Sequence, residues 1–513
     1  MSTFHGLEMA KQALFAQQSA LYTTGHNIAN ANTEGYTRQR VDFETASPYP
    51  SASRNRPLIA GQIGTGVNVG SIQRIRNEFL DTQFRGENSL VGYWETKSNS
   101  FSRMENVLKE PSETGLSTTM DQFWQSLQDL SANPENSGAR SVVIQRGQAL
   151  ADTFNYLSTS LRNIRGDLKQ QIDTSVSDMN TTLKQIDEIN NEVKKLEVHG
   201  YVPNDLYDRR DKLIDQLSKV MDIDVKYTES SNRAKDVAAG VVTISVQDSN
   251  GNSINLVDGA AGGYNEVSVQ YLDSDADSYR AISAINIVDS ENGAINATLA
   301  IPPKTEGSLN GLIDAYGYSA EDGESTGDYI DMMKQIDDMA FKFAEKFNAV
   351  HGEGNGIEDS NDGNANVFFE VETLEGAAGS IKVNQAIVDN PDLFAASTDE
   401  TTGNGNNALR LANVFNDDLT FENGEVTSIK DFYESVIGEL GVRAQEANRM
   451  EGNSTILLSQ VENQRMSVSA VSLDEEMTNM LKFQHAYNAA ARSLTATDEM
   501  LDKIINSMGL VGR

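Results

Sequence analysis

Apolar residues keep a seven-residue beat at both ends of this chain. Leu7, Leu14, Leu21 and Ile28 recur every seven positions, with Ala10, Gln17 and Thr24 three residues after the first three. This alternation of four and three is the seam of a coiled coil, and it predicts a helix over about residues 4–30. At the other end Leu473, Met477, Met480, Gln484, Tyr487, Ala491, Leu494, Asp498, Leu501, Ile505 and Met508 hold the same alternation, which only Gln484 and Asp498 break. Two such helices can lie along each other. Leu7, Leu14, Leu21 and Ile28 on one, with Met480, Tyr487, Leu494 and Leu501 on the other, are then the expected assembly seam, and everything between is an insertion.

The inserted text changes period several times. Helical text returns near residue 93 and stops at Pro111, and Met120, Phe123, Leu127 and Leu130 share one face before Pro134. Residues 139–198 contain no proline. Leu150, Phe154, Leu157, Leu161, Ile164, Leu168 and Ile172 keep the four-three alternation there, and Met179, Leu183, Ile186 and Val193 extend it into a rod that a bundle must cover. A helix over 201–220 buries Leu206, Leu213, Leu217 and Val220, and its charged DRRD run (208–211) reads as a solvated face. From about residue 222 the period is two. VVTISV and SINLV flank Asn250-Gly251, and AINIVDSENGAINATLAI repeats the design around Asn292-Gly293, which predicts antiparallel hairpins. A helix follows over 329–350. Residues 351–427 mix glycine, asparagine and acid with strand-like VFFEV and SIKV, and from 429 helical text runs on, with breaks expected at 438–441 and 452.

The fold class expected is therefore mainly α with inserted β: terminal coiled-coil helices, a long helical-bundle rod domain and a small antiparallel β domain. Residues 1–40 and 471–513 make the terminal domain. Residues 41–222, 307–350 and 428–470 make the rod domain, 223–306 the β domain, and 351–427 a mixed β and loop insertion.

Two motifs frame this plan. NIANANTEGYTRQR (27–40) resembles the N-terminal signature of the bacterial flagellar axial family of rod, hook and hook-associated proteins, and SLDEEMTNMLKFQHAYNAAARSL (472–494) resembles its C-terminal signature. PNDL…DRRDKLIDQLS resembles the hook-associated branch, and GSLNGLIDAYG (307–317) resembles the family's return into the helical domain. A departure occurs at AVSLDEE (470–476), where the family often has GVNLDEE. The resemblance implies a non-enzymatic structural subunit of the flagellum that self-assembles at the junction between hook and filament, with the terminal helices forming an inner tube. It implies the hook protein and a second junction protein as neighbours, and an export chaperone on the C-terminal helix. It places the protein outside the cell, exported through the flagellar channel without a cleaved signal peptide. It also points to Asn30, Asn32, Gly35, Tyr36, Arg38 and Arg40 as facing a neighbouring subunit. Asn30, Asn32 and Gly35 additionally suit the end of a helix, since they tolerate left-handed backbone.

Composition narrows the alternatives. With 75 acidic and 41 basic residues the formal charge is −34, which repels phosphate backbones and anionic lipid, so neither nucleic acid nor membrane is an expected partner. No apolar run approaches membrane-spanning length. Cysteine is absent, which removes disulfides, thiolate zinc sites and cysteine nucleophiles. His5, His26, His199, His351 and His485 show no metal-binding spacing and no hydrolase motif, so no catalytic, cofactor or metal residue is expected. The glycines of IGTGVNVGSI (63–72) read as a short hairpin or bulged strand rather than a dinucleotide loop. Asp273, Asp275 and Asp277 lack the glycine and glutamate of a calcium loop, because Ser278 and Ala284 stand there, and they read as an acidic turn. The runners-up are another axial subunit of hook type and, from a different class, a hydrolase carried on a helical stalk.

Overall fold

The computed structural model describes residues 4–507 except 51–53, 55–60, 109–114, 248–250, 273–278, 300, 302–305, 321–322, 358–366, 400 and 402. Met508, Asn250, Pro111 and the Asp273, Asp275 and Asp277 cluster fall outside the described residues. In chain order, α1 (Phe4–Ala29) is followed by the hairpin β1 (Gln39–Thr45) and β2 (Val67–Arg74). Four helices come next: α2 (Glu78–Leu108), α3 (Leu116–Ala132), α4 (Ser137–Glu197) and α5 (Asn204–Val220). The main strands are β3 (Asp224–Thr228), β4 (Val241–Gln247), β5 (Ser253–Val257), β6 (Asn265–Tyr271), β7 (Ile282–Asp289) and β8 (Ile295–Leu299). After α6 (Ser308–Tyr316), β9 (Tyr318–Ser319) and β10 (Ser325–Thr326) lead into α7 (Asp328–Gly352). Short pieces follow: β11 (Phe369–Glu370), α8 (Ala377–Ser380), β12 (Lys382–Val383), α9 (Gln385–Asp389) and α10 (Asn406–Asn413). The long α11 (Ile429–Ser469) and α12 (Leu473–Asp502) close the chain.

The fold is mainly α with inserted β, and α4 is its spine. Its 61 residues form one helix, roughly 90 Å long at 1.5 Å per residue. Asn136 caps it, its side chain accepting from Gly138 N at 2.9 Å and Ala139 N at 3.3 Å. The apolar stripe is buried along the whole length, from Leu150 and Phe154 to Ile186 and Val193, because α3, α5, α6, α7 and the sheets cover it in turn. Segment 351–427 packs against α3, α4 and α7 through its aromatics. Phe368, Phe369 and Phe415 surround Phe123, with ring centroids 5.8–6.0 Å away. Gly147 lets α4 approach this cluster, since a Cβ there would stand 2.8 Å from the Phe368 ring.

Two sheets, one antiparallel and one antiparallel but for a single parallel bridge, sit beside the distal half of α4. One has the order β3-β4-β5; the other has β10-β9-β7-β6, with β8 also on β7. Both anticipated hairpins, β4–β5 and β7–β8, pair as their alternation requires. The second sheet also recruits β9 and β10 from beyond residue 306, through a parallel bridge from Ile282 to Tyr318. Asparagines of the helices fasten the strands. Asn180 accepts from Val267 N at 2.8 Å and donates to Val267 O at 2.9 Å; Asn190 does the same to Val242 at 3.0 and 2.8 Å. A primary amide carries a donor and an acceptor side by side, so it substitutes for a neighbouring strand.

Two helices differ from the sequence expectation, for separate reasons. α2 begins at Glu78, some fifteen residues before apolar periodicity appears, because Asp81, Arg85, Asn88 and Ser89 are the residues it buries there. A buried face made of charged and polar side chains leaves no hydrophobic signal. α11 runs unbroken through Gly438, Gly441 and Gly452, where an added Cβ would meet nothing within 4 Å. Mid-helix glycine costs about 1 kcal/mol each, and packing along α2 offsets that here. The break falls instead at 470–472, where the Ser472 side chain caps α12.

Replacing Asn190 by alanine removes the clamp on Val242 and the acceptor for Arg210 Nη1 at 3.1 Å. Arg210 Nη1 keeps Gly240 O at 2.7 Å, but with the Val242 N–H and C=O left unpaired at about 1–3 kcal/mol each, the variant is expected to unfold at clearly lower urea, with hydrogen exchange in β4 accelerated before that in α3. Equal midpoints would contradict this account of how the sheets are held.

Candidate assembly site

α1 and α12 lie antiparallel. Near one end Gly6 abuts Thr497, where a Cβ would stand 3.6 Å from the threonine methyl; at the other, Arg38 just after α1 reaches Glu475 and Glu476 at 2.7 and 2.8 Å. The fully buried residues of α1 are small or polar: Ala10, Ala16, Ala20, Thr23, Thr24 and Asn27. Leu7, Leu14, Leu21 and Ile28 are half-buried along its shoulder, as are Met480, Tyr487 and Leu494 on α12, while Leu501 is buried. Ala10 and Thr24 are themselves positions of the heptad seam, and α1 is also covered by the β1–β2 hairpin, which Asn27 reaches through Gln39 and Met9 through Gly66. Much apolar surface stays open, including Phe15 (55 % exposed), Tyr22 (82 %), Met477 (59 %), Leu481 and Ile505. Two helices cannot cover each other on all sides.

A strap, residues 34–39, joins this pair to the body. Gly35 adopts φ +81°, and a Cβ there would press on the Lys212 side chain at 3.3 Å. Asn27 in the last turn of α1 grips Gln39 from both sides, donating to its carbonyl at 2.8 Å and accepting from its N–H at 3.0 Å. The Tyr36 hydroxyl donates to Asn27 Oδ1 at 2.8 Å, so the His26 Nδ1 atom 3.0 Å away is the donor to that hydroxyl. Burial, then the negative charges of Asp208, Asp205 and Glu476, push the Tyr36 phenol far above its ordinary pKa and keep it protonated. Asn30 turns back to donate to His26 O at 3.0 Å. Arg38 donates its backbone N–H to Ser469 O at 2.9 Å and spans the break between α11 and α12.

Beneath the strap lies a buried network of arginines and aspartates. On α5, Asp208, Asp211 and Asp215 share one face at spacings of three and four. Arg74 donates to Asp208 and Asp211 at 2.8 Å each, and Arg76 meets Asp211 at 2.9 Å and Asp81 at 2.5 Å. Arg85 reaches Asp215 at 2.9 Å, and Arg465, from α11, binds Asp215 at 2.6 Å and Asp81 at 3.2 Å. Tyr227 donates its hydroxyl to Asp211 at 2.9 Å. The DRRD run is thus no solvated face: Asp208, Arg210 and Asp211 are buried, and only Arg209 points out. Burial favours the neutral form of Asp211, but Arg76, Arg74, Arg210 and Arg85 outweigh it and hold the carboxyl well below the usual range. Against the same burial, Asp211 and Asp81 raise Arg76, and Tyr227 and Asp215 raise Arg85, above their ordinary values, so both guanidinium groups remain charged.

Tyr36 and Arg38 are therefore committed to partners within the chain. Of the residues that the resemblance assigns to a neighbouring subunit, Asn32, Gly35 and Arg40 remain exposed, and Arg40 meets Asp42 of its own strand at 3.1 Å. Asn27, Thr37, Gln39 and Glu476 lie within the quoted motifs but carry no role there, and Asp208 and Asp211 read as solvated in the sequence, although two signals were present. Arg74 and Arg76 are two apart in extended chain, which puts them on one side, and three aspartates recur along one face of α5. Among the described residues no group of three or more histidine, aspartate or glutamate side chains could hold a metal ion, and no helix is long and apolar enough to cross a membrane.

Three family models match the chain. The helical domain of flagellar hook-associated protein FlgK covers residues 101–369, flagella basal body rod protein covers 7–37, and the C-terminal region of flagellar basal body rod FlgEFG protein covers 462–508. Flagellar hook-associated protein 1 of Bacillus subtilis is 46 % identical over the whole of both chains. The chain belongs to the flagellar hook-associated protein 1 family. The family member from Salmonella typhimurium is 25 % identical over 97 % of this chain and 98 % of its own. The flagellar hook junction protein FlgK from Burkholderia pseudomallei shares the fold, with a TM-score of 0.54 and 15 % identity over 76 % of this chain and all of that one. The strap and the arginine–aspartate network lie where the three matched segments meet: Tyr36 and Thr37 in the first, Asp208 and Asp211 in the second, Arg465 and Glu476 in the third.

Because the folded pKa of Asp211 is depressed, its contribution to stability is present above about pH 4 and is lost as pH falls through the folded value. Asp211→Asn is expected to cost about 3–5 kcal/mol at pH 7, since it strands buried guanidinium groups. It should also flatten the decline in stability below pH 4. An unchanged acid limb in that variant would contradict the charge assignment.

Proposed function

We propose that the chain is a non-catalytic structural subunit of the flagellum that self-assembles into a short ring at the junction between hook and filament. The observation that carries this reading is the terminal helix pair: it is anchored firmly at one end, yet leaves a broad apolar face uncovered. Such a face in a chain of charge −34 suits close packing with further copies of the same helices. The hook protein and a second junction protein are the neighbours in the axis, and Asn32 and Arg40 face the adjoining copy. Residues 1–40 with 471–513 act as the inner-tube unit. The segments 41–222, 307–350 and 428–470 carry it, and 223–306 with 351–427 stand outside it. Gold-labelled protein on intact flagella is expected as a narrow band between hook and filament; label along the filament would overturn the reading.

In the free chain α1 and α12 are loosely paired and become fully ordered only when neighbouring copies cover them. Helices of this length are marginal in water without tertiary support, and the half-buried leucines supply only part of it. Hydrogen exchange in residues 6–20 of the isolated chain is expected to be fast and to slow sharply in the assembled ring. Strong protection before assembly would refute this.

Export through the flagellar channel precedes assembly, so the open face of α12 needs a cover in the cytoplasm. A small chaperone that takes this helix in a groove, contacting Met480, Tyr487, Leu494 and Leu501, serves that purpose. The face is reused in the ring, so the two states exclude each other. Leu494→Asp with Leu501→Asp in the full chain should weaken chaperone binding by at least about a hundredfold, as expected from losing two buried leucines. Undiminished binding would place the chaperone site elsewhere.

A further inference from the structure

Two sequence motifs that were recognised separately, the strap after α1 and the start of α5, meet residue by residue. Lys212 Nζ reaches Glu34 at 3.0 Å. Asp208 Oδ2 accepts the Thr37 backbone N–H at 3.1 Å, and Asp205 Oδ1 accepts from Gln39 Nε2 at 3.3 Å. Asn204 Nδ2 donates to Gln39 Oε1 at 3.2 Å. Thr37 (3 % exposed) and Asp208 (7 %) are both buried, and the second oxygen of Asp208 is held by Arg74. The Thr37 amide is thus tied to a carboxylate that is itself locked into the charged network.

The strap also holds both terminal helices by the ends nearest the body. Asn27 and Tyr36 fix the last turn of α1, and Arg38 fixes the first turn of α12 through Glu475 and Glu476. Helix formation is limited by its first turn, whereas extension adds one hydrogen bond per residue ordered. We infer that Asp208 is a positioning residue: it seats the strap on α5 in the free chain, so that α1 and α12 extend outward from a preformed turn as neighbouring copies cover them. This rests on the reading that the terminal helices are loosely paired before assembly.

The test is amide exchange on the isolated full-length chain, with no hook or second copy present. Thr37 and Gln39 are expected to exchange about a hundredfold more slowly than residues 6–20, as locally anchored amides do. Asp208→Ala should abolish the protection at Thr37 while α4 and β4 keep theirs. Asp208→Asn, which retains an oxygen acceptor, should restore part of it. In ring assembly the alanine variant should start late and the asparagine variant fall between. The inference is overturned if Thr37 in the unaltered chain exchanges as fast as residues 6–20. It is equally overturned if Asp208→Ala leaves Thr37 protected, or if it loosens α4 and β4 as much as the strap. Slow exchange throughout residues 6–20 sinks the loose-pair reading instead, and the loss at Thr37 in Asp208→Ala then still decides the seat.

Discussion

Eight charged side chains taken out of water govern this structure. Moving one such ion into the interior costs several kcal/mol unless a partner of opposite sign awaits it. Here the partners come from four places: Arg74 and Arg76 at the end of the first hairpin, Asp81 and Arg85 on α2, Asp208, Asp211 and Asp215 on α5, and Arg465 on α11. No segment can bury its own charges without the other three. The beginning, middle and end of a 513-residue chain are thereby obliged to converge on one point. Arg465 is further seated on the Phe84 ring, 4.4 Å from its centroid, and Arg74 on that of Tyr207 at 4.9 Å, which restricts each guanidinium to one orientation. Such networks give geometry more than net stability, because apolar replacements of similar size often fold as well. Their value here is that they fix where the strap leaves the body.

Above that fixed point the physics changes. The terminal pair has exposed aromatics, exposed methionines and few ion pairs beyond those of Arg38. It is firmly joined at one end and underpacked along its length, the combination expected of a segment whose remaining contacts are supplied by other copies. The body shows the reverse. α4 is covered throughout, and its asparagines grip the strands at both N–H and C=O, so the sheets are held to the spine rather than strung from it.

The elements legible in the sequence were those whose burial is apolar. The α4 stripe from Leu150 to Val193 and the hairpins around Gly251 and Gly293 follow from period alone. What stayed hidden was burial by charge. The first half of α2 carries Asp81, Arg85 and Asn88 inward, and DRRD looks solvated on a helical wheel, because a lone charged face gives no hint that matching charges wait elsewhere. The segment 351–427 was obscured by its glycine and asparagine content, although Phe368, Phe369, Phe394 and Phe415 are the residues that bind it to the body. The terminal helices were readable from their heptads, but not the β1–β2 hairpin that packs on α1 beside α12, since a strand pair leaves no mark in a helical period. Tyr36 and Arg38 carry chemistry suited to an interface, and within the chain it engages Asn27, Glu475 and Glu476.

The central claim is that the arginine–aspartate network acts as one unit joining distant segments. A double-mutant cycle between Arg76→Met and Asp211→Leu, read as unfolding free energy at neutral pH, tests it most directly. Each single change strands a buried charge, whereas the double change removes both. The account predicts that the pair is non-additive by at least about 2 kcal/mol, with the double variant more stable than Asp211→Leu alone. Additivity to within about 0.5 kcal/mol would mean that the two side chains do not depend on each other, and would contradict it.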